Sequence, residues 1–175
     1  LNKNADDATA GTTSVTATYG SAMPTPITLP TRTGYTFAGY YDTSAATGGT
    51  QYYKADGSSA RTWNKTGSQT LYARWTANAY TVEFNANGGS GTMADQSRTY
   101  NDGAKLSANT FTRTGYTFSG WNTKADGSGT SYADQATGNL ASTNGATVTL
   151  YAKWTGNTIT LAYNEDGGDS ISDGS

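Results

Sequence analysis

The aspartates are the side chains of this chain whose type best supports hydrolysis, because the sequence contains no histidine and no cysteine. That composition removes Ser-His and Cys-His nucleophiles and the ordinary zinc sites. Paired carboxylates could still cleave a glycosidic bond. The aspartates stand mostly in Gly- and Ser-rich stretches typical of solvated turns: Asp6, Asp7, Asp56, Asp102, Asp126, Asp166 and Asp169. We therefore expect no enzymatic activity.

Calcium is the metal that the remaining oxygen ligands could hold. Asn85 and Asn87 precede a glycine, and Asn164 and Asp166 do the same with Asp169 beyond them. A full calcium loop needs six or more oxygens, including charged ones, and neither stretch completes an EF-hand pattern. Turn formation is the favoured interpretation, so no cofactor is expected. A calcium site near Asp166 and Asp169 is the alternative.

A heptapeptide that occurs twice organises these residues. Thr-Arg-Thr-Gly-Tyr-Thr-Phe spans residues 31–37 and 112–118, and each copy leads to nearly the same closing strand, at 71–75 and 150–154. Near the end, Ile159 begins a third copy of the strand that starts at Tyr80. The sequence predicts tandem domains: repeat 1 at 1–76, truncated in its first strand, repeat 2 at 77–155, and a truncated repeat 3 at 156–175.

The alignment of the two repeats is extended backward without a gap. It places these residues opposite each other: Tyr19 and Tyr100, Asn4 and Asn85, Leu1 and Val82. Leu1 is therefore expected inside a strand. The same alignment places Lys3 on the core face of that strand. A core lysine could form an isopeptide bond with an asparagine, whereas a lysine extending to water explains the position equally well.

These motifs resemble the Listeria-Bacteroides repeat family, also called internalin B-type repeats. The most specific segments are 113–121 with 150–154, and 32–40 with 71–75. Departures in the first repeat are Lys3 opposite Phe84, Ala8 opposite Gly89 and Tyr40 opposite Trp121. The resemblance implies a small β-grasp-like (ubiquitin-like) fold, strung in tandem in large bacterial surface proteins, with no enzymatic activity.

Alternation of apolar and polar residues predicts a mostly β fold with little helix. In repeat 2 the predicted inward faces are Tyr80, Val82 and Phe84 in the first strand, and Val148, Leu150, Ala152 and Trp154 in the last. Between them, Tyr116 and Phe118 are placed on one face of a strand and Trp121 on the other. Residues 124–129 are interpreted as a hairpin loop, and residues 93–106, which lack a clean period, as a loop.

The aromatic residues separate into two groups when the repeats are compared. Residues shared by both repeats are expected to form the framework: Tyr35, Phe37, Tyr52, Tyr72 and Trp75, matched by Tyr116, Phe118, Tyr132, Tyr151 and Trp154. Tyr41, Tyr53 and Trp63 have no aromatic match. They could form a surface cluster that contacts a sugar or a protein, or a local packing difference. On this division, Trp154→Ala should cost about 3 to 5 kcal/mol and Trp63→Ala much less.

Composition limits the partners. A net charge of −2 with 14% charged residues gives neither a nucleic-acid patch nor an anionic-membrane patch. No apolar run of about 18 residues is present, so no membrane span is expected in this segment. Linkers of four residues, at 76–79 and 155–158, predict an extended, semi-rigid rod.

The favoured function is therefore a structural or adhesive stalk segment in an extracellular protein of a bacterial cell surface. Its expected partners are other repeats of the same protein, and self-association of neighbouring copies into filaments is a further expectation. A module that binds a host or cell-surface glycan or protein through Tyr41, Tyr53 and Trp63 is the alternative.

The third-repeat segment, residues 158–175, should pack against another copy or the continuing polypeptide, because its apolar face is uncovered. Since Leu161 aligns with Leu1, we do not expect this segment to replace the start of repeat 1 in a neighbouring copy.

Overall fold

Eight β-strands account for the regular structure of the described residues. The computed structural model describes residues 1–161, which contain no helix. The strands are β1 Tyr35–Tyr41, β2 Gln51–Tyr53, β3 Tyr72–Ala77, β4 Ala79–Asn85, β5 Gln96–Thr99, β6 Tyr116–Asn122, β7 Ser131–Tyr132 and β8 Ala146–Gly156. The expectation of a mostly β chain is confirmed. No helix in this part of the chain is long and apolar enough to cross a membrane.

The strands form two sheets. Repeat 1 has three strands in the order β2-β1-β3, and repeat 2 has five in the order β5-β4-β8-β6-β7. In repeat 2 the first and last strands, β4 and β8, lie side by side and parallel at the centre. Antiparallel neighbours flank them, β5 on one side and β6 with β7 on the other. Because β4 and β8 are parallel, the intervening chain must cross back over the sheet.

Each sheet covers a separate hydrophobic core. The core of repeat 1 contains Phe37, Tyr40 and Leu71, and that of repeat 2 contains Val82, Trp121 and Leu150. Among the described residues the two clusters share no member. Leu150 and Ala152 are fully buried, and Val148 and Trp154 pack against the same core. The predicted inward face of the last strand is therefore confirmed.

A β-bulge corrects the predicted faces of β6. The pairing of β6 with β8 shifts between Phe118 and Gly120, so Trp121 comes to the same side as Phe118. Their rings lie 5.0 Å apart in an edge-to-face arrangement. Gly120 permits the bulge because its φ is +123°, and a Cβ there would lie 2.7 Å from the Tyr132 carbonyl oxygen. Simple alternation could not reveal this extra residue.

The start of repeat 1 follows a different register from the one predicted. The Trp75 indole N–H donates to the carbonyl of Lys3, as that of Trp154 donates to Ala86, both at 2.9 Å. Lys3 is therefore equivalent to Ala86 and not to Phe84. The Asn4 side-chain amide confirms this, since it donates to Ala73 as the Asn87 amide donates to Ala152.

Two extra residues in the turn of repeat 1 explain the difference. The bridge between Thr9 and Thr31 matches that between Ser90 and Thr112, so the predicted alignment holds from Thr9 onward. The insertion lies between Asn4 and Thr9, and the correct partner of Leu1 is Phe84. Leu1 packs against the core of repeat 1 as Phe84 packs against that of repeat 2.

The stretch predicted to be a loop at 93–106 contains a strand. Residues Gln96–Thr99 form β5 and pair with β4. The alternation is hidden because β5 is a polar edge strand whose one buried side chain is that of Arg98. The hairpin predicted at 124–129 is confirmed, since it joins the antiparallel strands β6 and β7.

Candidate functional site: the joint between the repeats

The unmatched aromatics do not form a surface cluster. Tyr53 has no exposed surface, and its hydroxyl donates to the Pro24 carbonyl at 2.8 Å. It pairs with Tyr40 as Tyr132 pairs with Trp121, so Tyr53 is the framework equivalent of Tyr132. The pairing shifts next to Tyr40, which moves the match by one residue from the predicted Tyr52. Burial of the Tyr40 hydroxyl is the main cause that raises the pKa of Tyr40 to about 12, and the nearby Tyr53 is a smaller one. The Tyr40 hydroxyl therefore stays protonated and neutral.

Trp63 and Tyr41 have different surroundings. Trp63 is 9% exposed and packs in the core, with its ring 5.2 Å from that of Tyr52. Tyr41 is half-buried, and the Arg74 guanidinium lies 3.5 Å from the centre of its ring. Of the three, Tyr41 alone keeps a substantial accessible surface, so ligand contact stays a prediction for this residue.

Of the predicted oxygen ligands, the two that lie in the described residues, Asn85 and Asn87, form a turn. The Asn85 side-chain oxygen accepts the backbone N–H of Asn87, whose own amide donates to the carbonyls of Ala125 and Ala152. Residues 1–161 contain no group of three His, Cys, Asp or Glu that could hold a metal. The alternative calcium site at Asp166 and Asp169 lies outside the described residues.

Lys3 does not face the core. Its ammonium donates to the carbonyls of Asp6 and Ala8, both at 2.8 Å, and so closes the turn that carries the insertion. The inward position predicted for an isopeptide bond depended on matching Lys3 with Phe84. With Lys3 equivalent to Ala86, that expectation loses its basis.

Aspartates in the described residues also form hydrogen bonds and an ion pair with residues close to them in the sequence. Hydrogen bonds from Ser58 lower the pKa of Asp56, and those from Ser128 lower that of Asp126, in two turns of the same local sequence, Lys-Ala-Asp-Gly-Ser. The Arg98 guanidinium, donating to Asp102, holds the pKa of that carboxyl well below its usual range. Each of these carboxylates is thus kept ionised by its own turn or ion pair.

The densest polar contacts between the repeats centre on one residue. Asn78 alone separates β3 from β4, and it is 8% exposed. Toward repeat 1, its N–H donates to Gly34 and its side-chain oxygen accepts from Thr36. Toward repeat 2, its carbonyl accepts from the N–H of Tyr100 and its side-chain amide donates to the Ser142 carbonyl at 2.7 Å. These four bonds fix both repeats to the linker.

An aromatic contact lies beside Asn78. The rings of Tyr35 and Tyr100 pack edge to face, with centres 5.6 Å apart. The ring of Tyr100 fills the space over Gly34, where any Cβ would overlap it. On the far side, the Arg32 guanidinium lies 3.7 Å from the centre of the Tyr35 ring. We call the contacts of Gly34, Tyr35, Asn78 and Tyr100 the joint.

Repeat 2 carries half of the same joint at its other end. The Asn157 N–H donates to Gly115 at 2.9 Å, and its side-chain oxygen accepts from Thr117 at 2.7 Å. Arg113 stacks on Tyr116 as Arg32 stacks on Tyr35. Tyr116, however, is 41% exposed, and no atom of residues 1–161 lies over Gly115. This second set, which we call the open half-joint, has no opposing ring from the described part of the chain.

The sequence contains a signal for the joint that lies outside the residues capable of catalytic chemistry. Asn78 and Asn157 stand at the same distance after Trp75 and Trp154. An asparagine that recurs in linkers differing at two of their four positions indicates a side chain with fixed partners. Its partners Ser142 and Tyr100 could not be identified from spacing, because they depend on how repeat 2 folds.

Comparisons with known proteins agree with the tandem organisation. The family described as Listeria-Bacteroides repeat domain matches the chain twice, at residues 4–74 and 80–153. Internalin H of Listeria monocytogenes is 38% identical over 83% of this chain and 23% of its own length. Two proteins of Evansella cellulosilytica, named "Putative Gly-rich membrane protein" and "Putative membrane protein", are 33% and 31% identical over 81% and 85% of this chain. No solved structure matches.

The chain corresponds to only a small part of these relatives. It spans 23% of Internalin H, and 16% and 21% of the Gly-rich membrane protein and the membrane protein of Evansella cellulosilytica. The two family matches coincide with the two sheets and their cores. The chain therefore belongs to the Listeria-Bacteroides repeat domain family, of which it contains two consecutive copies.

Proposed function

We propose that this chain is a stalk segment of a large extracellular bacterial surface protein, in which tandem repeats hold other domains at a set distance. The joint at Asn78 carries the proposal. A spacer must resist bending between its units, and a linker of one residue with hydrogen bonds to both repeats provides that resistance. The small share of each relative that the chain spans is consistent with a repeated segment.

The proposal includes a β-grasp-like fold for each repeat and a rod-like arrangement of the two. The parallel central pair β4 and β8, flanked by antiparallel strands, supports the first. The helix that normally packs on such a sheet is absent from residues 1–161. The short linker supports the second, because each repeat meets the next at one end.

We propose a non-enzymatic role that needs no metal. The described carboxylates support it, since those with lowered pKa values are held by serine hydroxyls, backbone N–H groups or Arg98. Partners are proposed to be adjoining repeats of the same protein and neighbouring copies. Contact with a glycan or protein at Tyr41 would be revealed by binding that Tyr41→Ala abolishes.

Small-angle X-ray scattering tests the stalk. Two repeats of about 30 Å placed end to end give a maximum dimension of about 60 Å, whereas one compact body of the same mass gives about 40 Å. Scattering should be extrapolated to infinite dilution so that association does not lengthen the particle. The longer value is expected, and the shorter one would refute the rod.

A further inference from the structure

Two pairs of tyrosine rings are in contact among residues 1–161, and they differ in accessibility. The rings of Tyr40 and Tyr53 have centres 6.1 Å apart, but these residues are only 1% and 0% exposed. The rings of Tyr35 and Tyr100 have centres 5.6 Å apart at an interplanar angle of 73°, and both residues are half-buried. The second pair therefore combines ring contact with access from solvent, and it connects repeat 1 to repeat 2.

Tyr35 is held in place by residues of both repeats. The Arg32 guanidinium lies 3.7 Å from the centre of its ring, and Asp7 forms an ion pair with that guanidinium at 2.8 Å. From repeat 2, the exposed side-chain amide of Asn101 donates to the Tyr35 hydroxyl at 3.4 Å. The hydroxyl group of Tyr35 thus lies at the protein surface while its ring is fixed.

Tyr100 is held through its backbone and through its ring. Its N–H donates to the Asn78 carbonyl at 2.9 Å, and its ring lies over Gly34. Tyr100 also directly follows β5, so its position is set by the sheet of repeat 2. Because both rings are held by their neighbours, they are already oriented for a reaction with each other.

The chemistry available to this pair is that of phenols. The 175 residues contain no cysteine, so no disulfide can join repeat 1 to repeat 2. A phenol that loses one electron and one proton becomes a phenoxyl radical, and two phenoxyl radicals in contact combine. Two accessible tyrosine rings in contact therefore provide a covalent link that needs no thiol.

We propose that Tyr35 and Tyr100 form an oxidative cross-linking site, at which hydrogen peroxide and a haem peroxidase join the two rings across the joint. The peroxide takes one electron and one proton from each hydroxyl and is reduced to two molecules of water. The two radicals form one carbon–carbon bond between the ring positions next to the hydroxyl-bearing carbons. Each of these positions then releases its hydrogen as a proton, and each phenolic oxygen takes up a proton. The product keeps both hydroxyls and has lost two hydrogen atoms.

The bond closes residues 35–100 into a loop that contains β1 to β5. Tension applied to the two ends of the protein then passes through the bond and not through residues 36–99. The two tyrosines are 65 positions apart (100 minus 35). Single-molecule stretching should therefore give a fully unfolded length that is shorter by about 220 Å after oxidation, at about 3.4 Å per residue. Equal lengths before and after oxidation would contradict the loop.

Peptide mapping of the oxidised protein tests the site directly. Dilute protein is treated with hydrogen peroxide and a catalytic amount of haem peroxidase, and is then cleaved after lysine and arginine. Peptides 33–54 and 99–105 should be recovered joined to each other, with a mass two hydrogens below their sum. Tyr100 is the one tyrosine in the second peptide, and fragmentation should place the other end of the bond on Tyr35. Because the reaction is intramolecular, its yield should not change on dilution.

Variants separate the proposed pair from other tyrosines. Tyr35→Phe keeps the ring but cannot form a phenoxyl radical, so the cross-linked peptide should be lost while the thermal melt matches the parent. Gly34→Ala, which displaces the Tyr100 ring, should lower the yield. Gly115→Ala, which introduces the same backbone strain away from the pair, should not.

Three results would overturn the proposal. The first is a joined pair of peptides that persists in Tyr35→Phe, because another tyrosine would then be the partner. The second is a yield that falls on dilution, because the bond would then form between molecules. The third is the absence of the joined peptides from a sample in which Tyr19, which is 66% exposed, has been oxidised.

Discussion

The ring of Tyr100 in repeat 2 occupies the space in which a side chain of Gly34 in repeat 1 would lie. Gly34 has a φ of +77°, so it meets two requirements that only glycine satisfies, a left-handed backbone and the absence of a Cβ. Gly115, at the equivalent place in repeat 2, has the same backbone conformation, and none of the described residues places an atom over it. Alanine substitutions at the two glycines therefore distinguish the effect of backbone strain, which both share, from the effect of losing the contact between the repeats.

Gly34→Ala should release the orientation of the repeats, whereas Gly115→Ala should not. Both substitutions place alanine in the left-handed region, at a cost of about 1 to 2 kcal/mol. Only the first displaces Tyr100. Residual dipolar couplings measured by NMR should fit one alignment tensor for the parent and for Gly115→Ala, and two tensors for Gly34→Ala. A single tensor for Gly34→Ala would show that Tyr100 does not fix the orientation.

Asn78→Ala should weaken the protein more than Asn157→Ala. The first removes side-chain bonds to Thr36 and Ser142 at a nearly buried site, and the unpaired groups cost about 1 to 3 kcal/mol. The second removes one bond at an exposed site and should change stability by no more than about 0.5 kcal/mol. Urea unfolding of the two variants measures the difference. Equal losses would contradict the assigned role of Asn78.

Trp63→Ala and Trp154→Ala should both cost about 3 to 5 kcal/mol, each in its own repeat. This replaces the expectation from the sequence that Trp63 matters much less. Trp63 packs in the core against Tyr52, and Trp154 combines a hydrogen bond to Ala86 with a ring contact to Phe118. Equilibrium unfolding provides the values. A loss below about 1 kcal/mol for Trp63→Ala would be incompatible with its observed burial.

Asp102 should make repeat 2 sensitive to acid. Its folded pKa is depressed, chiefly by the hydrogen bond from Arg98, so its contribution is present above the unfolded pKa of about 3.9 and is lost as pH falls through the folded value. Asp102→Asn leaves the guanidinium of buried Arg98 without its carboxylate and should cost about 3 kcal/mol at neutral pH.

The difference in stability between the parent and Asp102→Asn should shrink as the pH is lowered below about 4, because protonation removes the same carboxylate in the parent. Asp126→Asn, at an exposed turn, is the control and should change neutral stability by no more than about 0.5 kcal/mol. A gap between parent and Asp102→Asn that is unchanged from neutral pH to pH 2 would contradict the linkage.

Alternation and repetition were sufficient to predict the tandem β organisation and the inward face of β8, because both are periodic. They failed where one or two extra residues break the period. The bulge at Gly120 reversed the predicted face of Trp121, and the insertion before Thr9 moved Lys3 away from Phe84. The joint could not be derived, because Tyr100 meets Gly34 only after both repeats have folded. Comparison of the sequences left Tyr53 without an aromatic match because it paired Tyr132 with Tyr52, one residue before the true equivalent.

A stalk built from these repeats requires the joint to hold them at one orientation. Double electron–electron resonance measures this directly, since the chain has no native cysteine and labels can be placed at Ala46→Cys and Ser128→Cys, two exposed positions in different repeats. We expect one narrow distance distribution for the parent, which broadens when Gly34→Ala is added. A broad distribution in the parent would contradict a fixed joint.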